Sequence, residues 1–153
     1  MPTASFVFPV RYVSEGVAVQ TTSRELSPLG IAVRSLETAR IYSALGLSID
    51  HVETVESQGV KTAFIRVGDA SLELLEPVSD DSPVGRFIEK RGEGIHHICF
   101  RVTNLEWHLE KLKSEGYRLI HDAPVPGAHG CRVAFLHPSA GNGVLIELSE
   151  TVQ

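Results

Sequence analysis

Glu73, His97 and Glu147 are the residues of this 153-residue chain whose types and placing suit chemistry. Each stands in an apolar run: Leu72-Glu73-Leu74, His97-Ile98-Cys99-Phe100 and Ile146-Glu147-Leu148. Alternation along a strand sends the leucine and isoleucine neighbours of each glutamate to one face and the carboxylate to the other. A carboxylate on the inner face of a sheet is costly unless it is paired or metal-bound. Two carboxylates and an imidazole suit a divalent transition metal with positions left open for water or substrate. The competing reading is three partly exposed strand residues with no shared role.

These residues fall in register because the chain reads as one unit written twice. Pro28-Leu29-Gly30-Ile31-Ala32-Val33-Arg34-Ser35-Leu36-Glu37 is echoed by His97-Ile98-Cys99-Phe100-Arg101-Val102-Thr103-Asn104-Leu105-Glu106. Both go from apolar strand through a polar turn to Leu-Glu and a helix closed by glycine, Gly46 or Gly116. Leu72–Glu76 and Ile146–Glu150 are the matching late strands. A two-fold repeat brings Pro28 with His97, and Glu73 with Glu147, to one place. Pro28 alone of the four has no donor for a metal.

Each unit reads βαβββ. In the first, a strand over Leu29–Val33 precedes a short helix between the N-cap Ser35 and Gly46, then strands near 48–55, 60–67 and 71–76. Ser82-Pro83 starts a connecting helix that Gly92 ends. In the second, a strand over 95–102 leads to a helix with a Leu105, Leu109, Leu112 stripe and Thr103 and Glu106 at capping-box spacing. Strands near 117–122, 132–136 and 144–149 follow, with loops at 124–127 and 139–143. The expected organisation is an N-terminal extension over 1–26 and one domain over 27–150. Its modules span about 27–77 and 94–150, with a linker helix at about 82–92. The fold class is α+β, with the two modules sharing one cupped mixed sheet. In the extension, Phe6–Val13 reads as an edge strand interrupted by Pro9, and Thr21–Arg24 as a linker.

Other chemistry is thin. Adjacent strand residues point to opposite faces, so His96 is expected to hydrogen-bond on the face away from His97. His108 is expected on a solvated helix face, His121 and His129 beside a Pro/Gly loop bordering a pocket, and His137-Pro138 in a structural role. Cys99 reads as a buried, inert thiol. The sequence contains no Gly-x-Ser-x-Gly, phosphate loop or dinucleotide fingerprint. A net charge of -5 with scattered Lys and Arg argues against nucleic acid, while leaving cations for a phosphorylated ligand. Two cysteines imply no disulfide framework and suit a reducing cytoplasm. No apolar run is long enough for a bilayer, and the N-terminus lacks signal-peptide character.

Gly92-Glu93-Gly94-Ile95-His96-His97-Ile98, Arg132-Val133-Ala134-Phe135-Leu136-His137-Pro138 and Gly143-Val144-Leu145-Ile146-Glu147-Leu148 resemble methylmalonyl-CoA epimerases. So do Gln58-Gly59-Val60-Lys61, Glu73-Leu74-Leu75-Glu76-Pro77 and Asp81-Ser82-Pro83. These enzymes lie in the vicinal oxygen chelate group with glyoxalase I and extradiol dioxygenases. The resemblance implies paired βαβββ modules cupped around a divalent metal such as cobalt, manganese, nickel or zinc. Its ligand positions fall on Pro28, Glu73, His97 and Glu147, the first normally histidine. It further implies an acyl-CoA substrate, Glu147 as a catalytic acid/base and a homodimer. In some members a second acid/base glutamate stands where this chain has Thr62. Lysine is common where this chain has Ser139. The alternatives are a glyoxalase I-like lyase and a non-catalytic binding protein whose metal site is lost.

Overall fold

The computed structural model describes residues 26–152, so the expected Phe6–Val13 strand and Thr21–Arg24 linker lie outside the described residues. Eight strands form one sheet: β1 (Leu26–Ala32), β2 (Ile49–Val55), β3 (Val60–Val67), β4 (Ala70–Pro77), β5 (Gly94–Arg101), β6 (Val125–Pro126), β7 (Arg132–Leu136) and β8 (Leu145–Glu150). Their spatial order is β2-β3-β4-β1-β5-β8-β7-β6. Strands β1–β4 and β5–β8 pair in parallel, and β1 meets β5 antiparallel at the middle. Each half thus contributes four adjacent strands in the same pattern, giving the expected curled sheet of two βαβββ units.

Alternation divides the core between the faces of this sheet. A short 3-10 turn over Leu36–Ala39, capped by Ser35, runs into α1 (Arg40–Ala44). Ala39 packs there against Ala63, Ile65 and Leu74. In the second half, α3 (Leu105–Ser114) places Leu105 and Leu109 on Ala134, Leu136 and Leu148. The neighbours of these strand residues, Val60 and Leu75, face the other way and form a third cluster with Ala32, Val55 and two residues of α2 (Pro83–Arg91), Val84 and Ile88. α2 therefore plugs one end of the cup, while α1 and α3 back its outside. Its start is fixed by Ser82, whose hydroxyl accepts from the Gly85 N–H, with Pro83 at the first position. Its C-cap is Gly92, at φ 78.

The second half departs from expectation in two places. Tyr117–Asp122 makes only the isolated bridge Leu119↔Leu136 instead of a strand. The His121 Nδ1 takes the Phe135 N–H at 3.3 Å, so a side chain consumes a donor that a continuing ladder would use. The short edge strand β6 forms from part of the expected loop, pairing Val125 and Pro126 with Val133 and Arg132; proline is tolerated at such an edge. The cap of α3 is Asn104, not Thr103. Asn104 adopts φ 55, and its Oδ1 accepts from the Trp107 N–H. The Glu150 carboxylate takes the Asn104 and Leu105 N–H groups, while Glu106 pairs with Arg132. The capping-box carboxylate is thus replaced by one arriving from β8. No helix among the described residues is long and apolar enough to cross a membrane.

Candidate metal centre and cavity

Strand pairing carries the candidate residues to the middle of the sheet. Glu73 lies beside Gly30, and Gly30 beside His97, across β4, β1 and β5. Glu147 on β8 pairs with Cys99, two residues along β5 from His97. The matching registers Gly30↔Glu73 and Cys99↔Glu147 make Pro28 the two-fold equivalent of His97, two residues earlier in each case. Pro28 is half-buried and, having no donor, leaves the set at three.

The three side chains converge. Glu73, His97 and Glu147 are all buried, each offering one ligand atom within 4.8 Å of the others. His97 Nε2 lies 3.1 Å from Glu147 Oε2 and 3.5 Å from Glu73 Oε2. Neither approach meets hydrogen-bond geometry, and the buried Nε2 has no hydrogen-bond partner. Ligand atoms each about 2 Å from a tetrahedral ion stand about 3.3 Å apart. Close, off-axis donors with an orphaned nitrogen lone pair are the pattern expected of atoms aimed at a shared cation. The residues present fit a divalent metal.

The electrostatics follow from burial. Removal from water lifts the Glu147 carboxyl to about 7, against the nearby imidazole, and the Glu73 charge adds to the rise. For His97, burial alone would lower the pKa. The two carboxylates outweigh it, and the net shift is upward. His96 is pushed down to about 4 by burial and by His97, so it is neutral near pH 7. Its Nδ1 stands 3.1 Å from His97 Nδ1. With a metal on His97 Nε2, His97 Nδ1–H would be the donor to His96 and would fix the ring and its tautomer.

The Cys99 thiol is fully buried and pushed up by burial and the neighbouring carboxylates, which keeps it protonated and inert as expected.

His96 does not face away. The pairing steps from Gly30↔His97 to Ile31↔Ile95, leaving His96 as the extra residue of a bulge. A bulge re-aims its side chain, and His96 lines the same cavity as His97. Gly30 is a part of the site that residue type and the repeat do not mark. A Cβ there would lie 2.3–2.7 Å from three atoms of the His97 ring. The signal available was a glycine inside an apolar strand, which marks a close approach.

The cavity beside the cluster measures about 1020 Å³. His97 and Phe135 meet it from the sheet, His121 from the irregular segment before β6, Ser57 and Gln58 from the turn after β2, and Arg86, Lys90 and Arg91 from α2. His137 also lines it while accepting the Ser139 N–H, which anchors the turn after β7. His108, expected in solvent, is half-buried, with Nε2 enclosed and unpartnered. His129 lies over Phe64, ring centroids 4.1 Å apart.

Comparison with known proteins agrees with this geometry. The profile of the Glyoxalase/Bleomycin resistance protein/Dioxygenase superfamily matches residues 29–135. The ethylmalonyl-CoA/methylmalonyl-CoA epimerase of Cereibacter sphaeroides is 37% identical over 129 residues, 82% of this chain and 96% of that protein. The chain belongs to the methylmalonyl-CoA epimerase family of this superfamily. Among its relatives is YqjC of Bacillus subtilis, an uncharacterized protein 46% identical over 127 residues, 82% of this chain and 91% of that one. The epimerase-family fold is shared with a Streptomyces coelicolor methylmalonyl-CoA epimerase variant bound to 2-nitronate-propionyl-CoA. That structure has a TM-score of 0.79 and 36% identity, covering 84% of this chain and 94% of that one.

Proposed function

We propose that the protein interconverts (2R)- and (2S)-methylmalonyl-CoA, with Glu73, His97 and Glu147 holding a divalent metal. The convergence of these three buried side chains beside a cavity of acyl-CoA size carries the reading. The bound metal would supply Lewis-acid stabilisation of the charge that develops on the thioester oxygen during deprotonation. Zinc, cobalt, nickel and manganese all accept a set of two carboxylates and one imidazole.

The chain's own groups do the rest. Glu147 is the acid/base on one face of the reacting carbon, taking the C2 proton on a carboxylate oxygen and returning it. Glu73 and His97 orient it. Thr62 is not the matching base on the other face: it is buried, carries no titratable group, and its hydroxyl donates to the Glu53 carbonyl. Val60, Leu75 and Phe135 give the cavity apolar walls that limit water around the acyl group. Arg86, Lys90 and Arg91 offer positive charge to the phosphates of the CoA moiety.

The deciding experiment measures bound metal in the purified protein and deuterium uptake at C2 of methylmalonyl-CoA in D2O. Metal with uptake is expected; in His97→Gln the uptake and the metal held with Glu73 and Glu147 should disappear. No metal and no uptake would sink the reading. Turnover of the methylglyoxal–glutathione adduct in its place would redirect the protein to glyoxalase-like lyase chemistry.

A further inference from the structure

We infer that the molecule carries a second divalent-cation site, formed by His51, Glu53 and His129 at the lip of the cup. Their ligand atoms all lie within 4.8 Å of one another. Glu53 Oε1 stands 3.6 Å from His51 Nε2 and 3.5 Å from His129 Nδ1. Tetrahedral ligands about 2 Å from zinc are separated by about 3.3 Å, so the two contacts of Glu53 are already within a few tenths of an ångström of that spacing, and the two imidazoles lie within 4.8 Å of each other.

The fold supplies the placement. His51 and Glu53 are two apart on β2 and share a face. Across the ladder they oppose Phe64 and Thr62, and Phe64 in turn opposes Glu73. The new cluster is therefore on the same inner face as the first but two strands away, about 10 Å, with the Phe64 ring between. Neither site can use the other's ligands.

His129 arrives from the second half of the chain, in the turn after β6. Its backbone N–H donates to Glu53 Oε1 at 2.9 Å, which fixes the carboxylate. It holds φ 53, a left-handed conformation uncommon for a residue with a side chain. Its ring packs on Phe64 and on His51, with centroids 4.1 and 5.1 Å apart. Both imidazoles are thus backed by aromatic contacts, and the ion-pair partners of Glu53 are imidazoles, a ligand type for zinc, nickel or cobalt. Two imidazoles and one carboxylate leave a fourth position for water. Because the histidines are exposed, the ion would exchange with solvent.

The location gives the site a purpose. Ser57 and Gln58 both donate to the Pro126 carbonyl, joining the first half to the second along the same seam. Ser57, Gln58 and Pro126 line the cavity. A cation on His51, Glu53 and His129 would clasp β2 to the β6 turn and brace that wall.

The test is zinc titration of the chelator-stripped full chain, followed by calorimetry and by the ring resonances of His51 and His129. The expected result is that both rings shift together, and that His97→Gln retains this response. In His51→Gln the His129 shift should be lost, and in His129→Ala the His51 shift. Rings that stay unmoved at saturating zinc would overturn the inference. So would a His129 response undiminished in His51→Gln, which would mean separate single-histidine binding. Should a variant fail to fold, the joint shift in the unaltered protein still decides. The readout is independent of the epimerase reading, because loss of binding at His97 leaves the His51 and His129 response intact.

Discussion

At the scale of single residues, His97 has its place because Gly30, across the β1–β5 seam, has no side chain. A methyl group at position 30 would meet the imidazole at 2.3–2.7 Å. Gly30→Ala should displace the ring, cost about 1–3 kcal/mol of stability from overpacking, and weaken metal binding; melting curves and metal titration check both. Pro28→His should strengthen metal binding by adding the donor that the two-fold equivalence with His97 calls for. Unchanged affinity in a folded Pro28→His protein would show that the site is centred elsewhere. Protonation gives a further check. Glu147 is raised from 4.5 to about 7, so the folded metal-free protein keeps a proton that the unfolded chain releases. Its contribution to stability is full below 4.5 and is lost as pH rises to about 7. His97, also raised, acts in the same direction. A cation competes with those protons, so stabilisation by metal should grow across this window, with proton release measurable by calorimetry in buffers of differing ionisation enthalpy.

At the scale of elements, the regular pieces were legible wherever local chemistry agreed with tertiary packing. The strand over 60–67 has the predicted bounds, and the Ser82-Pro83 start and Gly92 end of α2 hold. What was not legible came from distant partners. The His121 ring takes the ladder donor of Phe135, Glu150 crosses from β8 to cap α3, and a bulge turns His96 into the cavity. None of these is encoded within a short window. α2 divides its labour: Val84 and Ile88 face the core, while Arg86 and Lys90, four apart, reach the cavity. Lys90→Glu should raise KM for the acyl-CoA severalfold with kcat little changed, and the effect should shrink as salt rises. α3 depends on Leu109, buried against β7 and β8; Leu109→Ala should cost about 2–5 kcal/mol in denaturant unfolding.

At the scale of the whole molecule, the candidate centre takes Glu73 from the first unit and His97 and Glu147 from the second. A metal bound there would tie the halves together. Chelation should therefore lower the midpoint of one cooperative transition; with metal at about 100 times its Kd the loss is about 2.7 kcal/mol, or roughly 5–10 °C for a chain of this size. Sequence alone determined the repeat and the paired βαβββ units and picked out three candidate residues, because periodicity and residue type are local properties that survive in one dimension. Tertiary structure decided how closely the three side chains approach, that Gly30 makes room for His97, and that His96 lies on the same side. It also placed His51, Glu53 and His129 together, residues up to 78 positions apart. The curl of the sheet brings its edge toward a distant turn, and no local pattern in the chain records that approach.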